Sequence, residues 1–218
     1  MALPPPDCRE VTLGGELALQ AFLGVPDKAA GIVIFAHGSG SGRMSPRNNY
    51  VAARLRQAGL ATLLLDLLSP AEEQDRRNVF DIGLLASRLR LAVDWVADNA
   101  DTARLRPAYF GASTGGGAAI RAAAGDRRIA AVVSRGGRPD LAGVAALVEL
   151  KAPTLLIVGS LDGMVIDLNR AAAEPMTCKH ELAIVPGAGH LFEEPGTLDQ
   201  VVDLATGWFL NHLPERQE

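Results

Sequence analysis

The 218-residue sequence has few cysteines, few aromatic residues and no excess of basic side chains. Its two cysteines, Cys8 and Cys178, stand near opposite ends of the chain and fit no zinc-binding or CxxC spacing. Lys and Arg number 21 against 25 Asp and Glu, which gives a formal net charge of −4. Proteins that bind nucleic acid normally carry a basic excess. We therefore expect no nucleic-acid partner, no metal site, and free thiols in a reducing compartment.

Long apolar runs are also missing. The longest, around residues 60–68, is interrupted by Asp66, and none reaches the roughly 18 residues that a membrane-spanning helix needs. The first residues contain no basic segment followed by an apolar run, so they do not resemble a secretory signal. We expect a soluble cytoplasmic protein with no membrane partner.

Short apolar runs alternate with helical patterns along the chain. Continuous runs of this length are typical of strands buried on both faces of a parallel sheet. Strands are predicted at residues 31–36, 60–65, 108–110 with flanks, 129–134, 154–158 and 182–185. Helices are predicted at 48–58, 79–96, 116–124, 141–150, 167–173 and 198–210. This alternation predicts an α/β fold with a doubly wound, mostly parallel sheet.

Three segments depart from the alternation. Residues 10–13 and 16–22 flank the pair Gly14-Gly15, which predicts an antiparallel hairpin with a two-residue turn at the edge of the sheet. Residues 69–78 form the longest loop-like insertion, and the interval 134–153 has room for a single helix only. The simplest interpretation is a single domain over residues 1–218, without a cap domain.

A G-x-S-x-G motif stands at residues 111–115, after a predicted strand and before a Gly- and Ala-rich helix. That context suits a nucleophilic serine, because a tight turn exposes the side chain while small neighbours let the backbone pass closely. The helix N-terminus would also direct partial positive charge at a developing oxyanion. The alternative is a glycine-rich turn without chemistry. The motif makes Ser113 the candidate nucleophile.

An acid and a histidine follow in the order that a Ser-Asp-His triad requires. Asp162 and His190 each come directly after a predicted strand, at the edge where open α/β sheets place their sites. Taken singly, Asp162 could cap a helix and His190 could be an ordinary loop residue. Together with Ser113 they predict a catalytic triad. Asp167 also follows that strand, but its position fits the first turn of the next helix.

The segment HGSGSG at residues 37–42 follows the first predicted parallel strand. It predicts that the backbone N–H of Ser39 pairs with that of Thr114 to form an oxyanion hole. A phosphate-binding loop is the alternative, but G-x-G-x-G is not G-x-G-x-x-G, and no P-loop motif is present. We expect His37 to orient this loop.

The motifs HGSGSGR, GASTGG, GSLD and GAGH resemble the α/β-hydrolase family, and within it the dienelactone-hydrolase-like group. The resemblance extends from the first hairpin to the last helix. The segments HGSGSGRMSPRN and LLSPAEEQDRRNVFDI resemble a bacterial subgroup that can be fused to phosphoribosyltransferase domains, although no such domain fits in this chain. Dienelactone hydrolase itself has a cysteine nucleophile, so Ser113 favours simple ester hydrolysis.

The predicted function is therefore a serine esterase that cleaves short acyl, small aryl or lactone esters and needs no cofactor. The alternatives are an acyltransferase on the same triad, a dienelactone-type lactonase, a peptidase, and a binding module with a decayed site. The expected partner is a small-molecule ester, and the oligomeric state is left open.

Several side chains near the predicted site are candidates for substrate binding. Arg43, Arg135 and Arg138 could bind an anionic acyl group, with Arg135 preferred, or could instead pair with neighbouring acids. Residues 69–81 could fold across the mouth of the cleft. Four apolar side chains could line the acyl pocket or simply pack: Met44, Phe80, Met164 and Phe192.

Overall fold

An eight-stranded sheet runs through the computed structural model, which describes residues 4–213. The strands are β1 (Arg9–Leu13), β2 (Leu19–Gly24), β3 (Ile32–Ala36), β4 (Ala61–Leu65), β5 (Pro107–Ala112), β6 (Val132–Arg135), β7 (Thr154–Gly159) and β8 (His180–Val185). Their order is β1-β2-β4-β3-β5-β6-β7-β8. Strands β3 to β8 are parallel, whereas β1 and β2 form an antiparallel hairpin that joins the sheet through β4. The predicted doubly wound sheet with an N-terminal hairpin is confirmed.

Helices cover both faces of this sheet. They are α1 (Pro46–Gln57), α2 (Pro70–Glu73), α3 (Arg76–Val79), α4 (Ile82–Asp98), α5 (Thr114–Ala123), α6 (Val144–Glu149), α7 (Gly163–Ala173) and α8 (Thr197–His212). Side chains of α4 and α5 share one hydrophobic core, and those of α1 and α8 share the other.

Strand β3 shows why the apolar runs are continuous. Ile32 and Ile34 belong to the core beneath α4 and α5, while Val33 and Phe35 belong to the core beneath α1 and α8. Successive side chains of a strand point to opposite faces, so both faces must be apolar when helices cover both.

The N-terminal hairpin has a longer connection than the predicted Gly14-Gly15 turn. Leu13 pairs with Leu19, and residues 15–17 form a 3-10 turn instead of the start of the second strand. This register buries both leucines against the core, which a strand beginning at residue 16 would not do. The prediction of a two-residue turn was wrong for this reason.

The insertion at residues 69–81 is helical and firmly attached. Helices α2 and α3 start at separate side-chain caps, Ser69 and Asp75, and the carboxylate of Asp81 accepts a hydrogen bond from the Leu84 backbone and starts α4. Val79 therefore lies outside the long helix that its spacing predicted. The predicted helix 141–150 is likewise divided at Gly143, whose φ of 85° ends a 3-10 turn before α6 begins.

Candidate active site

The carboxyl ends of β3, β5, β7 and β8 lie at one edge of the sheet, since these strands are parallel. The loop at residues 37–42 follows β3, and Ser113 follows β5. Asp162 follows β7, and His190 follows β8. The topology thus places all the predicted catalytic segments on the edge where ligands bind in open α/β sheets.

Ser113 occupies a strained turn between β5 and α5. Its φ of 52° and ψ of −122° lie outside the regions that non-glycine residues usually adopt. Glycines on each side make this turn possible. A Cβ added at Gly111 would lie 2.5 Å from the Gly115 carbonyl oxygen. A Cβ added at Gly115 would lie 2.2 Å from the Ala36 carbonyl oxygen. Only glycine allows α5 to start this close to the strands.

His190 and Asp162 are in direct contact. The Nδ1 atom of His190 lies 2.6 Å from Oδ2 of Asp162. Although Asp162 precedes α7, its side chain forms no cap hydrogen bond with that helix, so the helix-cap alternative is not what the structure shows. Asp167 instead lies in α7, with its side chain 80% exposed and paired with Arg170 at 3.5 Å. The carboxylate that reaches His190 is the one that follows the strand directly.

Two cross-loop hydrogen bonds fix this acid relative to this histidine. The Gly187 backbone N–H donates to Oγ of Ser160 at 2.8 Å, and the Leu161 N–H donates to the Ala188 carbonyl at 2.9 Å. Both join the loop after β7 to the loop after β8. The sequence motif GSLD contains Ser160, but its positioning role depends on the β8 loop and could not be read from the motif.

Ser113 lies at the same edge but is not hydrogen-bonded to His190. Among the hydrogen bonds of residues 4–213, none joins the two side chains. Gly38 approaches Ser113, because a Cβ at that glycine would lie 3.8 Å from Oγ of Ser113. Catalytic hydrogen bonds are often long before substrate binds and tighten in the complex.

His37 anchors the loop that follows β3. Its Nδ1 atom lies 3.0 Å from the Gly38 carbonyl oxygen, and its Nε2 atom accepts a hydrogen bond of 3.0 Å from the Leu67 backbone. These contacts require a neutral imidazole that carries its proton on Nδ1. Burial lowers the pKa of His37 and favours the same neutral form. The expected orienting role agrees with this geometry.

Ser39 and Thr114, the two expected oxyanion-hole residues, are also in contact. The Ser39 backbone N–H donates to the side-chain hydroxyl of Thr114, with an N–O distance of 3.0 Å. The expectation was that two backbone N–H groups would converge. The structure brings the two residues together through the Thr114 side chain, a contact that no motif predicts.

A cavity of about 690 Å³ lies beside this loop. Thr114, which follows the candidate nucleophile, lines one wall, and the segment 69–81 supplies another. That segment is held by Glu72, which accepts from the Ser69 backbone at 2.8 Å and pairs with Arg88 at 2.6 Å. The residues that line the cavity also include Met44, Leu68, Pro70, Glu73, Val79 and Leu85.

The three candidate arginines have different surroundings. Arg43 is paired with Asp66 and, at 2.9 Å, with Glu10. Arg138 is paired with Asp140 at 2.7 Å. These carboxylates already neutralise both guanidinium groups, so Arg43 has an ion-pairing role instead of the predicted anion-binding one.

Arg135 has no acidic partner among the described residues. It is 8% exposed and donates one hydrogen bond, of 3.2 Å, to the Asn48 side chain. Two of its guanidinium nitrogens have no hydrogen-bond partner within residues 4–213. Burial and the positive charge of Arg47 lower the pKa of Arg135 to about 10. Of the three arginines, only the preferred one keeps a charge that no carboxylate balances, and its binding role stays a prediction.

The apolar candidates are scattered. Phe80 and Met164 are exposed and do not line the 690 Å³ cavity, whereas Met44 does. Phe192 is buried, with its ring 5.9 Å from the guanidinium of Arg135. It borders a separate groove of about 330 Å³, and its predicted role in the acyl pocket stays a prediction.

Two features are absent from residues 4–213. No group of three or more His, Cys, Asp or Glu side chains is arranged to hold a metal ion. No helix in the same range combines the length and hydrophobicity needed to cross a membrane.

Comparisons with known proteins place the chain in a family. A family model described as "Alpha/beta hydrolase domain" matches residues 29–204. The chain belongs to the α/β-hydrolase family. The crystal structure of dienelactone hydrolase from Anabaena variabilis is 55% identical, with a TM-score of 0.90, and the match covers 94% of this chain and 99% of that one. This α/β-hydrolase is therefore dienelactone-hydrolase-like.

More distant and longer relatives extend the comparison. Est1E from Butyrivibrio proteoclasticus shares the fold at 17% identity, with a TM-score of 0.77 over 95% of this chain and 99% of that one. Two Mycobacterium tuberculosis proteins, each named "Putative phosphoribosyl transferase", are 57% identical over 212 residues. The match covers 96% of this chain and 48% of theirs. This α/β-hydrolase thus spans about half the length of the curated relatives it matches.

The neutral, buried state of His37 predicts a pH dependence of stability. Because its pKa is lowered in the folded state, the unfolded chain binds a proton that the folded chain does not, and stability falls as the pH drops through the ordinary histidine pKa of about 6.5. His37→Gln keeps a donor and an acceptor but cannot titrate. Its melting temperature should fall less than that of the wild type between about pH 7.5 and pH 5.5. Parallel losses in the two proteins would contradict the assignment.

Proposed function

We propose that the protein is a serine hydrolase that cleaves carboxylic esters through Ser113, His190 and Asp162. The observation that carries the proposal is the 2.6 Å contact between His190 and Asp162, on the sheet edge where Ser113 occupies its strained turn. Membership of the α/β-hydrolase family supports the general class of reaction.

Acylation begins when Oγ of Ser113 attacks the ester carbonyl carbon. The carbonyl electron pair moves onto oxygen, and Nε2 of His190 accepts the serine proton. The Asp162 carboxylate holds the Nδ1–H and stabilises the imidazolium. The tetrahedral intermediate then collapses, the ester C–O bond breaks, and His190 protonates the departing alcohol. An acyl group remains on Ser113.

Deacylation repeats these steps with water. His190 takes a proton from water as the oxygen attacks the acyl carbon, and a second tetrahedral intermediate forms. Its collapse breaks the bond to Ser113, whose oxygen recovers the proton. The products are a carboxylic acid and the regenerated serine. Acylation and deacylation together consume one water and need no other co-reactant.

Lactone hydrolysis is a second candidate, favoured by the 55% identity with a protein named dienelactone hydrolase. A lactone is a cyclic ester, so the same steps open it, and the alcohol stays attached to the product acid. The transferase name of the M. tuberculosis relatives does not favour a third candidate. We attribute that name to their unmatched half, since the matched half shares the α/β-hydrolase fold of this chain.

The walls of the 690 Å³ cavity support a short acyl group as the substrate. The cavity lining includes the glycines and serines of residues 38–42 and Glu73, beside the apolar side chains of Met44, Leu68, Val79 and Leu85. Each buried methylene contributes about 0.8 kcal/mol only where an apolar wall removes it from water. Residues 38–42 and the Glu73 carboxylate offer no such wall, which favours short chains.

Ser113→Ala should abolish ester hydrolysis. Loss of the nucleophile should lower turnover of p-nitrophenyl acetate by about 10⁴ to 10⁶ while the melting temperature stays near that of the wild type. Ser87→Ala, which removes a hydroxyl bonded to the Leu84 carbonyl in α4, outside the cavity, is the matched control and should keep its activity. More than a tenth of wild-type turnover in folded Ser113→Ala would disprove the serine mechanism.

The two aspartates near β7 should behave differently. Asp162→Asn offers His190 the wrong partner and should lower turnover by about 10⁴-fold. Asp167→Asn disturbs only an exposed ion pair and should change turnover by less than about twofold. Steady-state kinetics on both variants decides between them. An inactive Asp167→Asn beside an active Asp162→Asn would reverse the assignment of the acid.

Short acyl chains should be preferred over long ones. Across p-nitrophenyl esters from acetyl to dodecanoyl, kcat/KM should be highest for the shortest chains, because the cavity wall formed by residues 38–42 is polar. A lactone panel measured alongside would show which ester class is cleaved faster. A steady rise of kcat/KM with chain length would contradict this prediction and would mean that the protein has an apolar tunnel for the acyl chain.

A further inference from the structure

The Ser39 backbone N–H does not point into open space at the candidate active site. It donates to Oγ1 of Thr114 at 3.0 Å. An oxyanion hole usually consists of two N–H groups that converge directly on the substrate oxygen. Here the first of these donors already has an acceptor, and that acceptor belongs to the residue that supplies the second.

The hydrogen bond from Ser39 uses only part of the hydrogen-bonding capacity of the Thr114 hydroxyl. A threonine hydroxyl has one proton to donate and two lone pairs to accept with. Thr114 uses one lone pair for Ser39. Within residues 4–213 its own proton has no acceptor, since the backbone carbonyls and side chains around it form no hydrogen bond with it. The residue is 6% exposed and lines the 690 Å³ cavity, and its hydroxyl can rotate to donate to a ligand bound there.

The surrounding backbone holds the hydroxyl in this position. Thr114 is the first residue of α5, and Gly115 behind it touches the Ala36 and His37 carbonyls, as a Cβ there would lie 2.2 and 2.5 Å from their oxygens. The loop that carries Ser39 is fixed on its other side by the contacts of His37 with Gly38 and Leu67. Neither partner of the hydrogen bond can move far.

We propose that the Thr114 hydroxyl is itself an oxyanion donor, and that the Ser39 N–H acts on the oxyanion through it. As negative charge develops on the carbonyl oxygen, Thr114 supplies its backbone N–H and its O–H. A hydrogen bond accepted from Ser39 polarises that O–H, and donors to a charged acceptor form stronger hydrogen bonds than donors to a neutral one. This inference rests on the proposed serine mechanism.

Three variants test the hydroxyl. Thr114→Val keeps the shape and removes the O–H, Thr114→Ser keeps the O–H, and Thr12→Val makes the same change at an exposed position of β1, outside the cavity. Removing one oxyanion donor typically costs about 10² to 10³ in kcat. Because the valine variant frees the Ser39 N–H, we expect a loss of about 10 to 100-fold in kcat with KM nearly unchanged. The serine variant should recover most of that loss, and Thr12→Val should match the wild type.

Inhibitor binding separates this role from a purely structural one. A trifluoromethyl ketone that adds to Ser113 forms a charged hemiketal oxygen like that of the transition state. Its affinity for Thr114→Val should fall by the same factor as kcat. An unchanged or higher kcat in folded Thr114→Val would overturn the proposal and make the hydroxyl a plug that substrate must displace. A parallel loss of kcat in Thr114→Val and Thr114→Ser would also overturn it.

A measurement on the unmodified protein covers the case in which the valine variant does not fold. In a crystal structure of the wild type with the ketone, Oγ1 of Thr114 should lie about 2.7 to 3.1 Å from the hemiketal oxygen. A separation beyond hydrogen-bond reach would reject the proposal. Other results would disprove the serine mechanism itself: activity that survives in Ser113→Ala, or a ketone that forms no covalent adduct with Ser113.

Discussion

The start of helix α5 rests directly on the backbone of strand β3, and the candidate site depends on this contact. Gly115 has no side chain, so its Cα can approach the Ala36 carbonyl more closely than any other residue would allow. The approach accompanies the strained turn at Ser113 and brings Thr114 within hydrogen-bond reach of the loop that contains Ser39. The strain at Ser113 is maintained by the packing of two apolar cores on either side of the strands.

A second contact of the same kind organises the other half of the site. A Cβ at Gly159 would lie 2.3 Å from the Ala188 carbonyl oxygen, so the end of β7 touches the loop after β8. This closeness allows the hydrogen bond between Leu161 and Ala188 and aligns Asp162 with His190. Backbone contacts that only glycine permits therefore position both the candidate nucleophile and its acid–base pair. Preorganisation of this kind lets a site stabilise a transition state without moving during the reaction.

Much of this arrangement could be predicted from the sequence, because its signals are local. Strand β3 is apolar at every position, and Asp162 and His190 directly follow strands whose parallel order brings their ends together. Features that depend on distant partners could not be predicted. Arg43 forms ion pairs with Asp66 and Glu10 instead of being free to bind an anion. The length of the hairpin connection follows from the pairing of Leu13 with Leu19. The contact between Ser39 and Thr114 likewise depends on how a loop and a helix meet.

Covalent labelling tests the central claim most directly, that Ser113 is a nucleophile activated by His190. The wild-type protein would be treated with a fluorophosphonate, and the modified residue located by peptide mass spectrometry. We expect a single adduct on Ser113, formed far more slowly in His190→Ala, while Asp167→Asn labels at the wild-type rate. An adduct on another residue, or ester hydrolysis that continues while Ser113 remains unlabelled, would contradict the claim.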